Sequence, residues 1–293
     1  MTSTVQRVTS RSAEIGGGVT VNRVIPSRQR RMIGAWCFLD HAGPAVFESG
    51  AGMRVGPHPH IGLQTFTWML QGEVMHRDSL GNVQVVRPGQ VNLMTAGHGI
   101  AHTEESLPGE HHLHAAQLWI ALPFESRDVP PAFDHYPDLP QWTEQGVVVT
   151  LLAGTMAGRH APARTYTPLM GADLTSEAGA TLSLKLDPAF EYGILPLQGG
   201  ITIGDDTFAA NELAFLGTGR DHIALTLAPG SQILLVGGLP FGSEVLIWWN
   251  FVGHDKGEIA QAQRDWETGA DRFGTVEGFD GPRLVAPTLL WKT

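Results

Sequence analysis

Gly56-Pro57-His58-Pro59-His60-Ile61-Gly62-Leu63-Gln64-Thr65-Phe66-Thr67-Trp68-Met69-Leu70-Gln71-Gly72 reads as extended chain running into a tight turn. Pro57 and Pro59 fix their own φ and push the residues before them out of the helical region, so His58 and His60 sit on stiff extended backbone. In such a chain residues two apart point to one face, which sets two imidazoles side by side. Gln64 to Leu70, rich in Thr, Phe and Trp, has the composition of a strand, and Leu70-Gln71-Gly72 closes it with a turn.

Working outward, the same texture repeats. Leu80-Gly81-Asn82, Arg87-Pro88-Gly89, Gln198-Gly199-Gly200, Gly204-Asp205-Asp206 and Pro229-Gly230 are turn signals. Between turns lie further strand-like runs at Gln117 to Leu122, Val147 to Leu152, Thr181 to Leu186 and Ile223 to Leu227. Short strands punctuated this often predict an all-β sandwich or barrel. The one helix expected is Lys256 to Trp266, where Ile259, Ala262, Gln263 and Trp266 share a face and Gly269 supplies a stop.

Phe124 to Gly146, with Pro130-Pro131, Pro137 and Pro140, reads as a connection. On either side the chain echoes itself, Leu70-Gln71-Gly72 against Leu197-Gln198-Gly199, which suggests two copies of one β-fold. The expected organisation is residues 1–135, a Pro-rich connection 136–146, and residues 147–293 with the helix. The halves differ in chemistry, since nine of the 13 histidines fall between His58 and His135.

The chain has 293 residues, 42% of them hydrophobic, which is enough for a substantial core and excludes general disorder. A net charge of −10 argues against direct nucleic-acid binding, which needs a basic face. The single cysteine, Cys37, excludes an intramolecular disulfide and points to a reducing compartment. Met1 to Gly18 has no basic-then-apolar leader, and no run approaches the roughly 18 apolar residues of a membrane span. The expectation is a soluble, cytoplasmic protein with no membrane partner.

The chemistry concentrates in two places. Besides His58 and His60, the run Gly97-His98-Gly99-Ile100-Ala101-His102-Thr103-Glu104 carries His102 and Glu104, again two apart. Two hairpin-like turns lie between the pairs, enough to return one strand beside the other. Three imidazoles and a carboxylate suit a first-row divalent metal, including zinc, manganese, nickel, copper or cobalt. The plainer alternatives are hydrogen-bonded or surface histidines, or a closed tetrahedral zinc site. His111, His112 and His114 read as loop and strand histidines.

The runs Pro57 to Thr65, His76-Arg77-Asp78-Ser79, Met94 to Glu104 and Leu113 to Trp119 together resemble the pirin family of the cupin superfamily. The likeness extends through Pro240-Phe241-Gly242 and Trp248-Trp249-Asn250-Phe251 to the C-terminal helix. It implies a bicupin, two antiparallel β-barrel (jelly-roll) domains with a short C-terminal helix. It also implies metal ligands His58, His60, His102 and Glu104, with Fe(II) the usual ion. Phe190-Glu191-Tyr192 stands where the second copy would carry its His-x-His, so that copy is expected to lack a metal. Gln64 departs from the glutamate many pirins carry.

The resemblance further suggests quercetin 2,3-dioxygenase-type chemistry on a flavonol-like substrate and O2, with Glu104 as catalytic base. Strand parity from His58 and His60 puts Gln64, Phe66 and Trp68 in the same pocket if no bulge intervenes, with His76 at its rim. The competing reading is a metal- or redox-dependent regulator that binds a transcription factor or metabolic enzyme without turnover. A cupin-type sugar-phosphate isomerase fits less well, because no Lys or Arg accompanies the ligand motifs as a phosphate clamp.

Overall fold

The computed structural model describes residues 5–15, 19–48 and 52–291. Of the opening Met1 to Gly18, residues 1–4 and 16–18 therefore lie outside the described part. The strands around the histidines are β1 (Arg54–His60), β2 (Leu63–Gln71), β3 (Val74–Asp78), β4 (Val83–Val86), β5 (Val91–Thr95), β6 (Ile100–Ser106), β7 (His112–Ala121) and β8 (Ala132–Tyr136). They divide between two sheets: β1-β6-β3-β4 in one, and the consecutive strands β8-β5-β2-β7 in the other. All these pairings are antiparallel. The result is a jelly roll of two open sheets rather than a closed barrel, as the strand orders show.

The chain changes sheet at two corners. Ile61-Gly62 carries β1 into β2, and Ala96 to Gly99 carries β5 into β6. Gly62 adopts φ +66°, and a Cβ there would stand 2.1 Å from the Val252 carbonyl oxygen, so only glycine fits. The corners are tied together by Gly62 N–H donating to Gly97 O at 2.9 Å and Ala96 N–H donating to Leu63 O at 2.9 Å. That tie sets β1 beside β6.

The Pro-rich stretch is more than a connection. Ala132–Tyr136 pairs with β5, and Gln141–Glu144 pairs with Val147–Ala153. Prolines flank these strands rather than interrupt them, which is where a ladder tolerates a residue without an N–H.

The second cupin carries a seven-stranded sheet with Gln6–Thr9 at its edge. Opposite it stands a four-stranded sheet of Ala180–Lys185, His222–Leu227, Gly200–Ile203 and Asp206–Ala209. Its core is aliphatic, with Val147, Leu151, Leu174, Ile194, Leu225 and Leu235 fully buried. The compact units are 1–13, 22–41 and 138–241 on one side, and 14–21, 42–137 and 242–293 on the other. One division falls between 137 and 138, inside the Pro-rich stretch. Gln6–Thr9 ladders onto Glu212–Leu216, and the C-terminal helix packs with the histidine-rich half.

That helix, α1 (Lys256–Thr268), begins at Asp255, whose carboxylate accepts from the N–H groups of Gly257 and Glu258. It ends at Gly269 in the left-handed conformation. Its buried face, Ile259, Ala262 and Trp266, packs with Ile61 and Ala101. No described helix is long and apolar enough to cross a membrane.

Candidate metal centre

β1 and β6 pair with His58 opposite His102 and His60 opposite Ile100. Opposed residues of an antiparallel ladder project to the same face, so His58, His60 and His102 share one. β3 lies on the other side of β6, with His76 opposite Glu104 and Asp78 opposite His102. One face of this small sheet thus collects four histidines and two acids. Beside Gly56-Pro57 the register breaks, two residues of β6 (His102 to Glu104) spanning three of β1 (His58 to Val55). Pro57 has no N–H for the ladder, and its carbonyl accepts instead from Leu284 N–H at 2.8 Å.

The three rings converge. Their centroids stand 4.3 Å apart for His58–His102, 5.0 Å for His60–His102 and 5.1 Å for His58–His60. Each ring offers a nitrogen within 4.8 Å of the others, and among the described residues no other three or more His, Cys, Asp or Glu side chains converge in this way. His58 Nδ1 donates to the Gly56 carbonyl at 2.9 Å, and His60 Nδ1 donates to the Asn250 carbonyl at 2.9 Å. A carbonyl can only accept, so both protons sit on Nδ1 and both Nε2 atoms present bare lone pairs. His60 Nε2 and His102 Nε2 are 3.1 Å apart. Two nitrogens bound to one ion at about 2.1 Å and a right angle would be about 3.0 Å apart, so the spacing fits a shared cation.

Burial makes all three rings neutral. His58 is pushed down to about 4, by burial first, opposed by its bond to Gly56 and helped by the neighbouring His76. His60 and His102 are held well below the ordinary imidazole value by burial and by neighbouring histidines. Neutral imidazole is the metal-binding form.

Glu104 is on the same face, but its carboxylate stands outside the close trio. Although its side chain is only partly covered, burial of the carboxyl pushes its pKa up to about 7. His76, expected at a rim, is buried and reaches His102, with Nδ1 to Nδ1 at 3.4 Å. Asp78 accepts from His76 Nε2 at 3.1 Å. Burial pushes the Asp78 carboxyl up, but hydrogen bonds from His76 and Asn82 outweigh it and hold the group below the usual carboxylate range.

Gln64, Phe66 and Trp68 do not share this site. The Ile61-Gly62 corner changes sheet between His60 and Leu63, and the strand phase does not carry through it. Within the larger sheet Gln64 opposes Thr95, whereas Thr65 opposes Met94 and Trp119. Phe133 opposes Met94 and stacks on His76 at 4.3 Å, and Trp119 meets His60 edge-on at 5.3 Å. The face turned to the histidines is therefore that of Thr65, Trp119 and Phe133, and Gln64, Phe66 and Trp68 point the other way.

Trp119, Phe133, Asp78 and the Asn250 carbonyl are what sequence reading missed. Parity along β7 and β8 could have placed the two aromatics only if the cross-strand register were known. His112 and His114 lie on β7, outside the trio. In the second cupin a cavity of about 890 Å³ is lined by Met170, Leu184, Phe190 and Tyr192 among others, and no histidine lines it.

The sequence matches the Pirin family model over residues 18–120 and the model for the Pirin C-terminal cupin domain over residues 171–274. The chain belongs to the pirin family. A Pseudomonas aeruginosa protein provisionally named a quercetin 2,3-dioxygenase is 70% identical over 288 residues, 98% of this chain and 91% of that one. A Caulobacter vibrioides pirin-like protein is 36% identical over 261 residues, covering 86% and 90%. Among solved structures, a quercetin 2,3-dioxygenase from Acinetobacter baumannii superposes with a TM-score of 0.96 at 47% identity, covering 99% of this pirin and 97% of that chain.

Proposed function

We propose that this pirin is a mononuclear Fe(II) dioxygenase of the quercetin 2,3-dioxygenase type, acting on a flavonol-like substrate. The observation that carries the reading is the convergence of three buried, neutral histidines, two of them with Nε2 left bare by their backbone bonds. The donor set of His58, His60 and His102, with Glu104 beside it, suits a first-row divalent ion. When bound there, such an ion supplies Lewis-acid activation of a chelating phenol and redox chemistry with O2.

The chain's own residues do the rest. Three histidines would hold the ion, and backbone carbonyls lock the orientation of two of them. Glu104 would serve as a fourth ligand, or its carboxylate would take the phenol proton. A carboxylate whose pKa lies near neutrality is suited to that transfer. Trp119 and Phe133 contribute flat apolar walls. The lone buried Cys37 supports a reducing, cytoplasmic setting.

The test is anaerobic loading with Fe(II), titration with quercetin, and admission of O2. The flavonol plus O2 should give a depside and one carbon monoxide. Tight metal binding without either product would overturn the enzyme reading and favour the metal-dependent regulator.

A further inference from the structure

We propose that Asp78 and His76 are positioning residues that act through His102, fixing which nitrogen of that ring is free for a metal ion. The inference rests on the metal-centre reading above and deepens it. His58 and His60 have their Nδ1 protons fixed by backbone carbonyls. His102 has no such carbonyl among its hydrogen bonds. Its Nδ1 faces His76 Nδ1 at 3.4 Å, and its Nε2 faces His60 Nε2 at 3.1 Å.

An imidazole can both donate and accept, so His76 alone leaves the His102 tautomer open. Asp78 removes the ambiguity. Its side chain is fully buried and its carboxylate accepts from His76 Nε2 at 3.1 Å, which places a proton on that nitrogen. In neutral His76 the Nδ1 is then bare and accepts from His102 Nδ1–H. His102 Nε2 is left unprotonated, pointing at His60 Nε2 and the convergence point. The chain Asp78–His76–His102 thus does with side chains what Gly56 and Asn250 do with carbonyls.

Both ends of this chain are held. The Asp78 carboxylate also accepts from Leu80 N–H at 2.9 Å and from Asn82 N–H at 3.0 Å. It accepts further from the Asn82 side-chain amide, at 2.9 Å on its second oxygen. His76 is clamped against Phe133, ring planes 15° apart. Neither residue can turn away without breaking several contacts. The sequence carries the device in plain sight, as His76-Arg77-Asp78, two same-face residues on β3 directly opposite Glu104 and His102.

Removing such outer partners of a metal-bound histidine typically costs about 10–100-fold in metal affinity. The experiment compares wild type, Asp78→Asn, His76→Phe, His76→Gln and the Asp78→Asn/His76→Phe double variant. Nickel(II) affinity is read by competition with a chelator, and long-range ¹⁵N–¹H spectra of the zinc-loaded proteins report the His102 tautomer. Asp78→Asn keeps an oxygen for Leu80 and Asn82, and His76→Phe keeps the stack on Phe133, so melting of the metal-free proteins checks the fold.

The expected result is a 10–100-fold loss for Asp78→Asn and for His76→Phe, with the His102 Nδ1–H signal lost or shifted. His76→Gln, whose amide oxygen can accept from His102, should recover part of the affinity. In the double variant the Asp78 change should add nothing, because its effect passes through His76. Equal nickel affinity and an unchanged His102 signal in Asp78→Asn, or full additivity in the double variant, would overturn the proposal. Should Asp78→Asn fail to fold, His76→Phe against His76→Gln decides alone, and equal affinity in those two overturns it. Failure of wild type to bind nickel or zinc would instead overturn the metal-centre reading.

Discussion

His60 and His102 stand 42 residues apart in the chain, and their Nε2 atoms stand 3.1 Å apart in the fold. With its Nδ1 proton given to Asn250, His60 Nε2 can only accept. At that distance the two nitrogens share either a proton carried on Nε2 of neutral His102 or a cation, and burial disfavours a charged ring at either place. The site is organised so that a metal ion can take the place of that proton.

That organisation ranks the ligands. His58→Ala and His102→Ala should abolish stoichiometric metal binding. Glu104→Gln should only weaken it, because the carboxylate lies outside the close trio. Cys37→Ala, far from this chemistry in role, should leave metal content unchanged. Elemental analysis of the four variants after identical loading checks the order, and full occupancy in His102→Ala would refute the ligand set.

Acid should destabilise the metal-free protein. An unfolded imidazole titrates near 6.5, whereas folded His58 titrates at about 4 and His60 and His102 lie well below the ordinary value. In that window the unfolded chain binds more protons, so stability falls as pH drops from 6.5 towards 4. Glu104 works in the opposite sense. Its carboxyl moves from 4.5 unfolded to about 7 folded, so the folded state holds an extra proton between those values and loses stability as pH rises through them. Glu104→Gln should then make the acid decline steeper. Melting temperatures of chelator-treated protein from pH 4.5 to 6.5 test both statements, and a flat profile in wild type would contradict the first.

Much of this was legible in the residues. The extended Pro57-His58-Pro59-His60 run, the His102-x-Glu104 pair and the capped helix ending at Gly269 all fell where composition and period placed them. What failed was parity across Ile61-Gly62. A period of two predicts faces only within one strand, and a left-handed glycine between strands resets the count. Trp119 and Phe133 stayed hidden for the related reason that register between distant strands is set by tertiary pairing. Gln6–Thr9 was missed as well, because its partner Glu212–Leu216 lies at the far end of the chain.

The parity correction makes a direct prediction. Trp119→Phe should alter the site, since the indole edge meets His60 at 5.3 Å. Phe66→Leu, on the opposite face of the larger sheet, should lower stability without changing the spectrum of a bound cobalt(II) probe. Large-to-smaller changes at a buried aromatic typically cost a few kcal/mol when most of the ring is lost, so about 1–2 kcal/mol is expected for the milder leucine. If Phe66→Leu perturbs the cobalt spectrum as strongly as Trp119→Phe, the face assignment is wrong.

The corner at Gly62 joins fold to function most directly. Alanine there meets two penalties, a left-handed backbone at φ +66° and a Cβ held 2.1 Å from the Val252 carbonyl oxygen. The first alone is about 1–2 kcal/mol, and the second forces the chain around Val252 to move. Gly62 N–H also donates to Gly97 O, so a displaced corner loosens the tie that sets β1 beside β6 and hence His58 and His60 beside His102. Gly62→Ala should lower the melting temperature of metal-free protein and reduce nickel affinity together. Gly81→Ala, left-handed at φ +86° but with nothing within 4 Å of the added Cβ, should cost stability alone. Loss of nickel affinity in both variants would show that backbone strain in general, rather than this corner, governs the metal centre.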